Sequence, residues 1–390
     1  MVGCICKLLE QWLGLSSSLG STLLSGIGAL VSSWLLTLFL GPFFIKMLSC
    51  YRVSLLEDRP YCGTLNQLHA HKKATPIMGG LLILLSITMS CIFWGGTHNI
   101  YNGLLLVILC SGGIVGFFDD RKKVKYQNAG GITPLKKFLV QFFMGGVVAF
   151  FTLVSPGEQV LQESGDIAYR VKNISSFFHQ PEFLLQLPCY PYPVKILGYF
   201  GVLIGVIFII FVLTGSSNAV NLTDGLDGLA AGVVVLSAIP LMHASYLSHL
   251  KITAIGINFL YGSPYEAAFI MLGAIIGACL GFLRYNTCPA KVFMGDCGSL
   301  PLGAVLGASA IIIKQELLLA IVGIVFLIEV LSVILQILSM RYRKKRIFLC
   351  APIHHHFEYK GLSEKSIVMR FWVIGGVAAF IGLIILKISF

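Results

Sequence analysis

The chain has 390 residues, of which 56% are hydrophobic and only 12% are charged, and its formal net charge is +11. A soluble fold of this length cannot bury so much apolar surface, so the composition excludes an ordinary soluble protein and indicates a chain that lies mostly in a lipid bilayer. The positive charge would suit nucleic acid in a soluble protein, but here we expect it to follow membrane topology and predict no nucleic-acid partner.

Ten apolar runs approach the length of about 20 residues that a helix needs to cross the hydrocarbon core. The short eighth run is separated from the ninth only by residues 314–316. The sequence therefore predicts an all-α, polytopic integral membrane protein with about ten spans, forming a single domain over residues 1–390. The runs lie at residues 22–47, 76–95, 101–118, 137–155, 194–214, 226–243, 266–284, 299–313, 316–338 and 368–387.

Lysine and arginine are concentrated in alternate connecting segments, which is typical of the cytoplasmic loops of membrane proteins. We therefore predict that the N-terminus lies outside, which places most of the 28 Lys and Arg residues on the inner side. The only long outer segment, residues 156–193, is then predicted to be a polar loop.

Two adjacent carboxylates, Asp119 and Asp120, follow the third run and precede three cations, Arg121, Lys122 and Lys123. Mg²⁺ binds through one or two carboxylates together with substrate phosphates, so the pair is a candidate metal site. The alternative is that these residues only end a helix at the membrane surface.

The segment 218–229, between the fifth and sixth runs, contains no basic residue. Asp224 and Asp227 are three residues apart at an expected helix start, so both could face one pocket. Gly225 and Gly228 would leave the backbone open to a ligand. An aspartate that simply caps the helix is the alternative.

A third polar segment, residues 286–300, places Asp296 between two glycines just before an apolar run. A carboxylate and open backbone N–H groups at a helix N-terminus suit a phosphate and its metal ion. Phe293 could stack on a flat ring, although an aromatic residue near the interface is also a common membrane anchor.

Three adjacent histidines, His354, His355 and His356, follow the basic run Arg341–Arg346. Adjacent side chains point in different directions, which is poor spacing for one zinc ion. The pattern favours phosphate binding or proton handling, while the basic run is best explained as a topology anchor. Residues 69–80 form a weaker basic segment, in which Pro76 suits a helix start.

A transporter is the alternative of a different class, because it could also have ten spans and a basic inner face. Transporters usually place polar groups and broken helices near the middle of the membrane, often in paired repeats. Glu329 is the only ionisable residue deep within a predicted span, and no internal repeat is visible. An enzyme is therefore favoured.

These segments resemble the motifs of the phospho-N-acetylmuramoyl-pentapeptide transferases, within the polyprenyl-phosphate N-acetylhexosamine-1-phosphate transferases. The resemblance covers nearly the whole chain and follows the family's motif order. The last motif resembles the muramoyl branch rather than the branch that uses UDP-GlcNAc. The matching residues are the aspartate pair with Lys123, NAVNLTDGLDGLA at 218–230, VFMGDCGSL at 292–300 and APIHHHFE at 351–358.

The resemblance implies a Mg²⁺-dependent enzyme that moves phospho-MurNAc-pentapeptide from UDP-MurNAc-pentapeptide to undecaprenyl phosphate, giving lipid I and UMP. This is the first membrane step of peptidoglycan synthesis. The resemblance also implies ten spans, contacts with membrane lipids, a homodimer, and a place in the bacterial cytoplasmic (inner) membrane with the active site on the cytoplasmic side. A transferase that uses UDP-GlcNAc and, less favoured, a transporter are the alternatives.

Residue by residue, the resemblance implies two sets of site residues. The catalytic set is Asp119, Asp120, Asp296, His354, His355 and His356, in which the three aspartates hold the metal and Asp296 is the best candidate ligand. The substrate-binding set is Lys72, Lys123, Lys137, Asn218, Asn221, Asp224, Asp227, Phe293 and Gln336. Direct attack by the lipid phosphate and a covalent aspartyl-phosphate route both stay open at this point.

Overall fold

The computed structural model describes residues 17–49, 75–96, 99–126, 131–153, 158–161, 167–170, 182–190, 193–254, 258–259 and 262–390. The helices within these ranges are α1 (Ser17–Leu48), α2 (Gly80–Gly95), α3 (Ile100–Tyr126), α4 (Pro134–Leu153), α5 (Gly198–Thr223), α6 (Leu229–Ala254), α7 (Pro264–Asn286), α8 (Asp296–Ile312), α9 (Glu316–Val322), α10 (Ile324–Tyr342), α11 (Ile353–Tyr359) and α12 (Glu364–Ser389). The strands are β1 (Glu158–Leu161), β2 (Ile167–Arg170), β3 (Glu182–Leu185), β4 (Val194–Leu197) and β5 (Asn258–Phe259).

Eight helices in the described part of the chain are long and apolar enough to cross a membrane, namely α1, α3, α4, α5, α6, α7, α10 and α12. The shorter apolar helices α2 and α8 correspond to the second and eighth predicted runs. The predicted all-α, polytopic membrane fold is therefore confirmed. Most of the exposed side chains of these helices are large and hydrophobic, which suits contact with lipid.

The helices at the centre of the bundle pack through small residues. Gly273, Gly277 and Gly281 are four residues apart on α7 and face α1, where a Cβ on Gly277 would lie 2.8 Å from the carbonyl carbon of Leu30. Every residue of α8 is buried. Small side chains let membrane helices approach closely, so α7 and α8 form the core against which the other helices pack.

The ninth predicted run is not one continuous helix. It is divided into α9 and α10, and Gly323 between them has non-helical torsion angles (φ −92°, ψ 21°). The predicted run at 316–338 therefore forms two helices rather than one. A single glycine leaves the apolar pattern unchanged, which is why the sequence does not reveal the break.

Residues 156–193 are not simply a polar loop. Strand β1 pairs antiparallel with both β2 and β5. Strands β3 and β4 form a second antiparallel pair in which Leu185 lies opposite Val194. The fifth predicted run therefore begins as a strand, and its helix starts only at Gly198, whose φ of +79° allows the chain to change direction.

The second predicted run begins differently from expectation as well. Pro76 does not start the helix, since α2 begins at Gly80. The carbonyl oxygen of Pro76 accepts the N–H of Phe293 at 2.9 Å, and the N–H of Gly79 donates to the oxygen of Phe293 at 2.8 Å. These bonds tie the segment before α2 to the segment before α8 and so fix where α8 begins.

Candidate active site

Asp119, Asp120 and Asp296 come together at the point where α3 meets the first residue of α8. Each offers a carboxylate oxygen, and these oxygens lie within 4.8 Å of one another. All three residues are buried. The approach depends on Gly116 of α3, because a Cβ there would lie 2.5 Å from the Cα of Cys297. The two aspartate motifs therefore form one site.

Asp120 is bound to the backbone at the start of α8. Its Oδ1 accepts the N–H of Asp296 at 3.2 Å, and its Oδ2 accepts the N–H of Cys297 at 3.0 Å. A carboxylate at this position satisfies helix N–H groups that otherwise lack partners and interacts favourably with the helix dipole. Gly295, which precedes α8, has a φ of +75°, a conformation that glycine adopts readily.

Two lysines bridge the carboxylates. Lys123 Nζ lies 2.7 Å from Asp119 Oδ2 and 3.2 Å from Asp296 Oδ1. Lys137 Nζ lies 2.6 Å from Asp296 Oδ2 and 2.9 Å from Asp119 Oδ1. The lysine side chains are 18% and 19% exposed, whereas Asp119 is completely buried, so the site is approached from the lysine side.

Asn221 of α5 belongs to the same cluster. Its Nδ2 donates to Asp296 Oδ1 at 2.9 Å and to Ser299 Oγ at 2.8 Å. Asn218, one turn earlier, donates instead to Gln141 Oε1 at 2.9 Å. Sequence reasoning missed Gln141 and Ser299. Gln141 lies one helical turn after Lys137 in an apolar run, and this spacing was a usable signal.

Asp224 lies beside the carboxylate cluster but not at a helix start. It follows the last residue of α5, and α6 begins only at Leu229, so the predicted helix start is wrong. Burial raises the pKa of Asp224 to about 8, and the negative charges of Asp296 and Asp120 add to this effect. The N–H of Gly295 donates to Asp224 and opposes the shift.

Asp227 has different neighbours from Asp224. Its Oδ2 accepts the N–H of Ala290 at 2.9 Å, and its own N–H donates to Glu364 Oε1 at 2.7 Å. Asp227, Cys288 and Glu364 form a second group whose ligand atoms lie within 4.8 Å of one another. The two aspartates of this motif therefore contact different parts of the structure.

The backbone at Gly225 is covered rather than open to a ligand. A Cβ at this position would overlap Nε2 of His354 and lie 2.8 Å from its Cε1. The expectation of an open backbone at Gly225 is therefore wrong, and the glycine is explained by the close approach of a histidine ring. The N–H of Gly228 donates to Asn286 Oδ1 at 3.0 Å.

The three histidines point in different directions, as the sequence predicts. His354 and His355 are buried, whereas His356 is half-buried. Their partners are Glu329 Oε2 at 3.0 Å from His354 Nδ1, Glu358 Oε2 at 2.6 Å from His355 Nδ1, and the N–H of Leu349, which donates to His356 Nδ1 at 3.1 Å. Sequence reasoning noted Glu329 but did not place it in the site.

The other predicted substrate-binding residues are less central. Phe293 is half-buried and its backbone is paired with the segment before α2. Gln336 accepts N–H groups from Ile347 and Phe348 through Oε1 and donates to the oxygen of Phe348, so its amide holds the loop after α10. Lys72 lies outside the described residues.

The donor set fits a hard divalent cation. Mg²⁺ prefers oxygen ligands and is usually held by one or two carboxylates plus substrate phosphates. The Asp119, Asp120 and Asp296 oxygens are of this kind, and Lys123 and Lys137 add positive charge that phosphates would meet. Carboxylates, cations and a helix N-terminus together suit phosphoryl transfer.

Comparison with known proteins supports this chemistry. Residues 101–314 match the profile of glycosyl transferase family 4. A protein of Protochlamydia amoebophila named phospho-N-acetylmuramoyl-pentapeptide-transferase is 41% identical over 378 residues, covering 92% of each chain. A protein of the same name from Desulfotalea psychrophila is 41% identical, and the match covers 94% of this chain and 93% of that protein. Another from Pelagibacter ubique is 38% identical, and the match covers 98% of each chain.

Proposed function

The chain belongs to the phospho-N-acetylmuramoyl-pentapeptide transferases, and we propose that it moves phospho-MurNAc-pentapeptide from UDP-MurNAc-pentapeptide to undecaprenyl phosphate. The products are lipid I and UMP. The observation that carries the proposal is the meeting of Asp119, Asp120 and Asp296 with Lys123 and Lys137. Phosphoryl transfer depends mainly on positioning and charge stabilisation, which is what this cluster offers.

Asp119, Asp120 and Asp296 would hold Mg²⁺, which when bound neutralises charge on the pyrophosphate. Lys123 and Lys137 bind the phosphates from the exposed side of the site. The contacts of Asp120 with two backbone N–H groups support a fixed, structural place for it. Asp119 accepts one backbone N–H, from Ile132 at 2.6 Å, and contacts both lysine side chains that would meet the phosphates, which supports Asp119 as the base that takes the proton from the lipid phosphate.

In the proposed step an oxygen of the lipid phosphate attacks the β-phosphorus of the nucleotide sugar, and the bond to UMP breaks. A covalent aspartyl-phosphate is the alternative. Incubating the protein with labelled UMP and UDP-MurNAc-pentapeptide, without lipid, separates the two. Direct attack predicts no exchange of label in lipid-free enzyme, and exchange would establish the covalent route.

The chain is a multi-pass membrane protein. We place it in the bacterial cytoplasmic (inner) membrane, in contact with membrane lipids and with the aspartate cluster on the cytoplasmic side. The cations at 121–125 directly follow Asp119 and Asp120, and the basic run at 341–346 falls on the same predicted side, which supports this orientation. The homodimer implied by the family resemblance is part of the same proposal, and light scattering of the detergent-solubilised protein measures it.

The deciding experiment measures UMP release by purified protein given a polyprenyl phosphate and either UDP-MurNAc-pentapeptide or UDP-GlcNAc, with Mg²⁺ present or chelated. Metal-dependent release with the muramoyl donor alone is expected. Release with UDP-GlcNAc alone would support the proposed reaction type but show that the donor is UDP-GlcNAc. No release with either donor would refute the proposal. Glu316→Gln is the control variant, because it alters a buried carboxylate of α9 that has no place in the proposed mechanism.

A further inference from the structure

Glu329 is a buried carboxylate within α10, a helix that is apolar enough to span the membrane. Its side chain is completely inaccessible to solvent, and its Oε2 lies 3.0 Å from Nδ1 of His354, which is only 1% exposed. Burying an ionisable group in an apolar environment strongly destabilises a fold unless a partner compensates it. The Glu329–His354 pair is therefore a specific feature of the fold and not an incidental contact.

His354 in turn covers the turn of residues 224–228. The position of a Cβ on Gly225 would overlap Nε2 of the ring, so the ring rests directly on the backbone at Gly225. The adjacent residue, Asp224, accepts the N–H of Gly295, the residue that precedes Asp296. Glu329 thus contacts His354, which contacts the turn, although α10 itself supplies none of the aspartates of the site.

The carboxylate also favours one of the two tautomers of the His354 ring. A carboxylate at Nδ1 accepts a hydrogen bond, so it favours a proton on Nδ1 and leaves Nε2 directed at the turn. Nε2 has no hydrogen-bond partner among the described residues, and neither has Oε1 of Glu329. Buried polar atoms without a partner are uncommon because they destabilise a fold, so two of them in one pair call for an explanation.

We propose that Glu329 is a positioning residue for the transfer reaction. It holds His354 in one tautomer and one orientation, and through the ring it fixes the turn that places Asp224 beside Asp296. This inference rests on the proposed function, because it assigns Glu329 a role in that reaction. Glu329 itself touches no reacting atom in this scheme.

The first test is a double-mutant cycle of Glu329→Gln and His354→Gln, read as kcat and KM for UMP release. An outer carboxylate that orients a functional histidine typically contributes about 10- to 100-fold, and we expect a loss of that size in kcat with little change in KM. If the two residues act as a unit, the double variant loses no more than the single variants do.

Glu316→Gln is the matched control for this cycle. Glu316 is a buried carboxylate at the other end of the same apolar run, so the variant makes the same chemical change away from His354. We expect its kcat to equal that of the wild type. Wild-type kcat in Glu329→Gln, or losses that multiply in the double variant, would overturn the inference.

The second test does not depend on activity. Nitrogen NMR of ¹⁵N-histidine-labelled protein without substrate or Mg²⁺ reports the protonation of each ring, and His354→Gln assigns the signal of His354. We expect a proton on Nδ1 in the wild type and a shifted Nδ1 signal in Glu329→Gln. A wild-type His354 with its proton on Nε2 alone, or an unchanged signal in the variant, would refute the positioning role. Wild-type protein that releases no UMP but shows the expected signals would remove only the proposed function.

Discussion

Replacing Gly225 with alanine tests how closely the active site is packed. A Cβ at this position would overlap Nε2 of His354 and lie 2.8 Å from Cε1, whereas carbon atoms in ordinary contact are about 3.5–4.0 Å apart. The ring or the turn must therefore move by roughly 1 Å. Gly225 has no positive φ, so alanine fits the backbone and the perturbation is purely steric.

The size of the effect follows from this displacement. Overpacking a buried position costs about 1–3 kcal/mol of stability. A shift of 1 Å also lengthens the 3.0 Å contact between His354 and Glu329 beyond hydrogen-bonding range. Because a misplacement of about 1 Å can cost about 100-fold in rate, we expect kcat for UMP release to fall about 100-fold, with a modest loss of thermal stability.

Gly215→Ala provides the control for this experiment. Gly215 lies in α5, the helix that precedes the turn, and an added Cβ there would meet nothing within 4 Å. We expect wild-type kcat from Gly215→Ala in the same assay. If Gly225→Ala kept wild-type kcat, His354 would not be held against the turn and the reasoning would be refuted. An equal loss in both variants would point to a general effect on α5.

Three further predictions concern the charged groups of the site. Asp296→Asn should abolish UMP release and leave a monodisperse, folded protein, because a carboxamide is a much weaker Mg²⁺ ligand; wild-type turnover would remove the metal assignment. Lys137→Met should lower kcat/KM for the nucleotide sugar by about 10- to 100-fold, since it removes two contacts to the carboxylates, whereas Lys136→Met, at the exposed neighbouring lysine, should not change kcat/KM. Because the pKa of Asp224 is raised to about 8, its ionisation opposes folding, so its contribution to stability is complete below about pH 4 and is lost as pH rises through about 8. Without Mg²⁺, the thermal midpoint should therefore fall more steeply between pH 5 and 8 in the wild type than in Asp224→Asn, and equal slopes would show that Asp224 is not responsible.

The membrane fold could be predicted from the sequence because apolar length is a strong signal. The prediction failed where one short sequence pattern is compatible with two structures. Residues 194–197 read as the start of a span, yet Val194–Leu197 forms a strand, since four apolar residues fit either element. The break at Gly323 was missed because one glycine does not alter hydrophobic periodicity.

The grouping of the three aspartates could also be predicted from the apolar runs. Asp119, Asp120 and Asp296 occur at the predicted inner ends of apolar runs, so topology alone brings them to one side of the membrane. Their contacts with Lys123 and Lys137 agree with the residues that the family resemblance implies. The pairing of Glu329 with His354 was not predictable, because it depends on how the broken ninth run is packed.

The turn of residues 224–228 shows how the second half of the chain controls the site. Its backbone is held by residues of three separate elements: His354 of α11 rests on Gly225, Glu364 of α12 accepts the N–H of Asp227, and Asn286 of α7 accepts the N–H of Gly228. Short turns without regular backbone pairing need such partners to keep one conformation. The position of Asp224 therefore depends on α7, α11 and α12 as well as on the N–H of Gly295, which donates to its carboxylate. Substitutions in α11 and α12 should alter catalysis even though these helices supply none of the clustered aspartates.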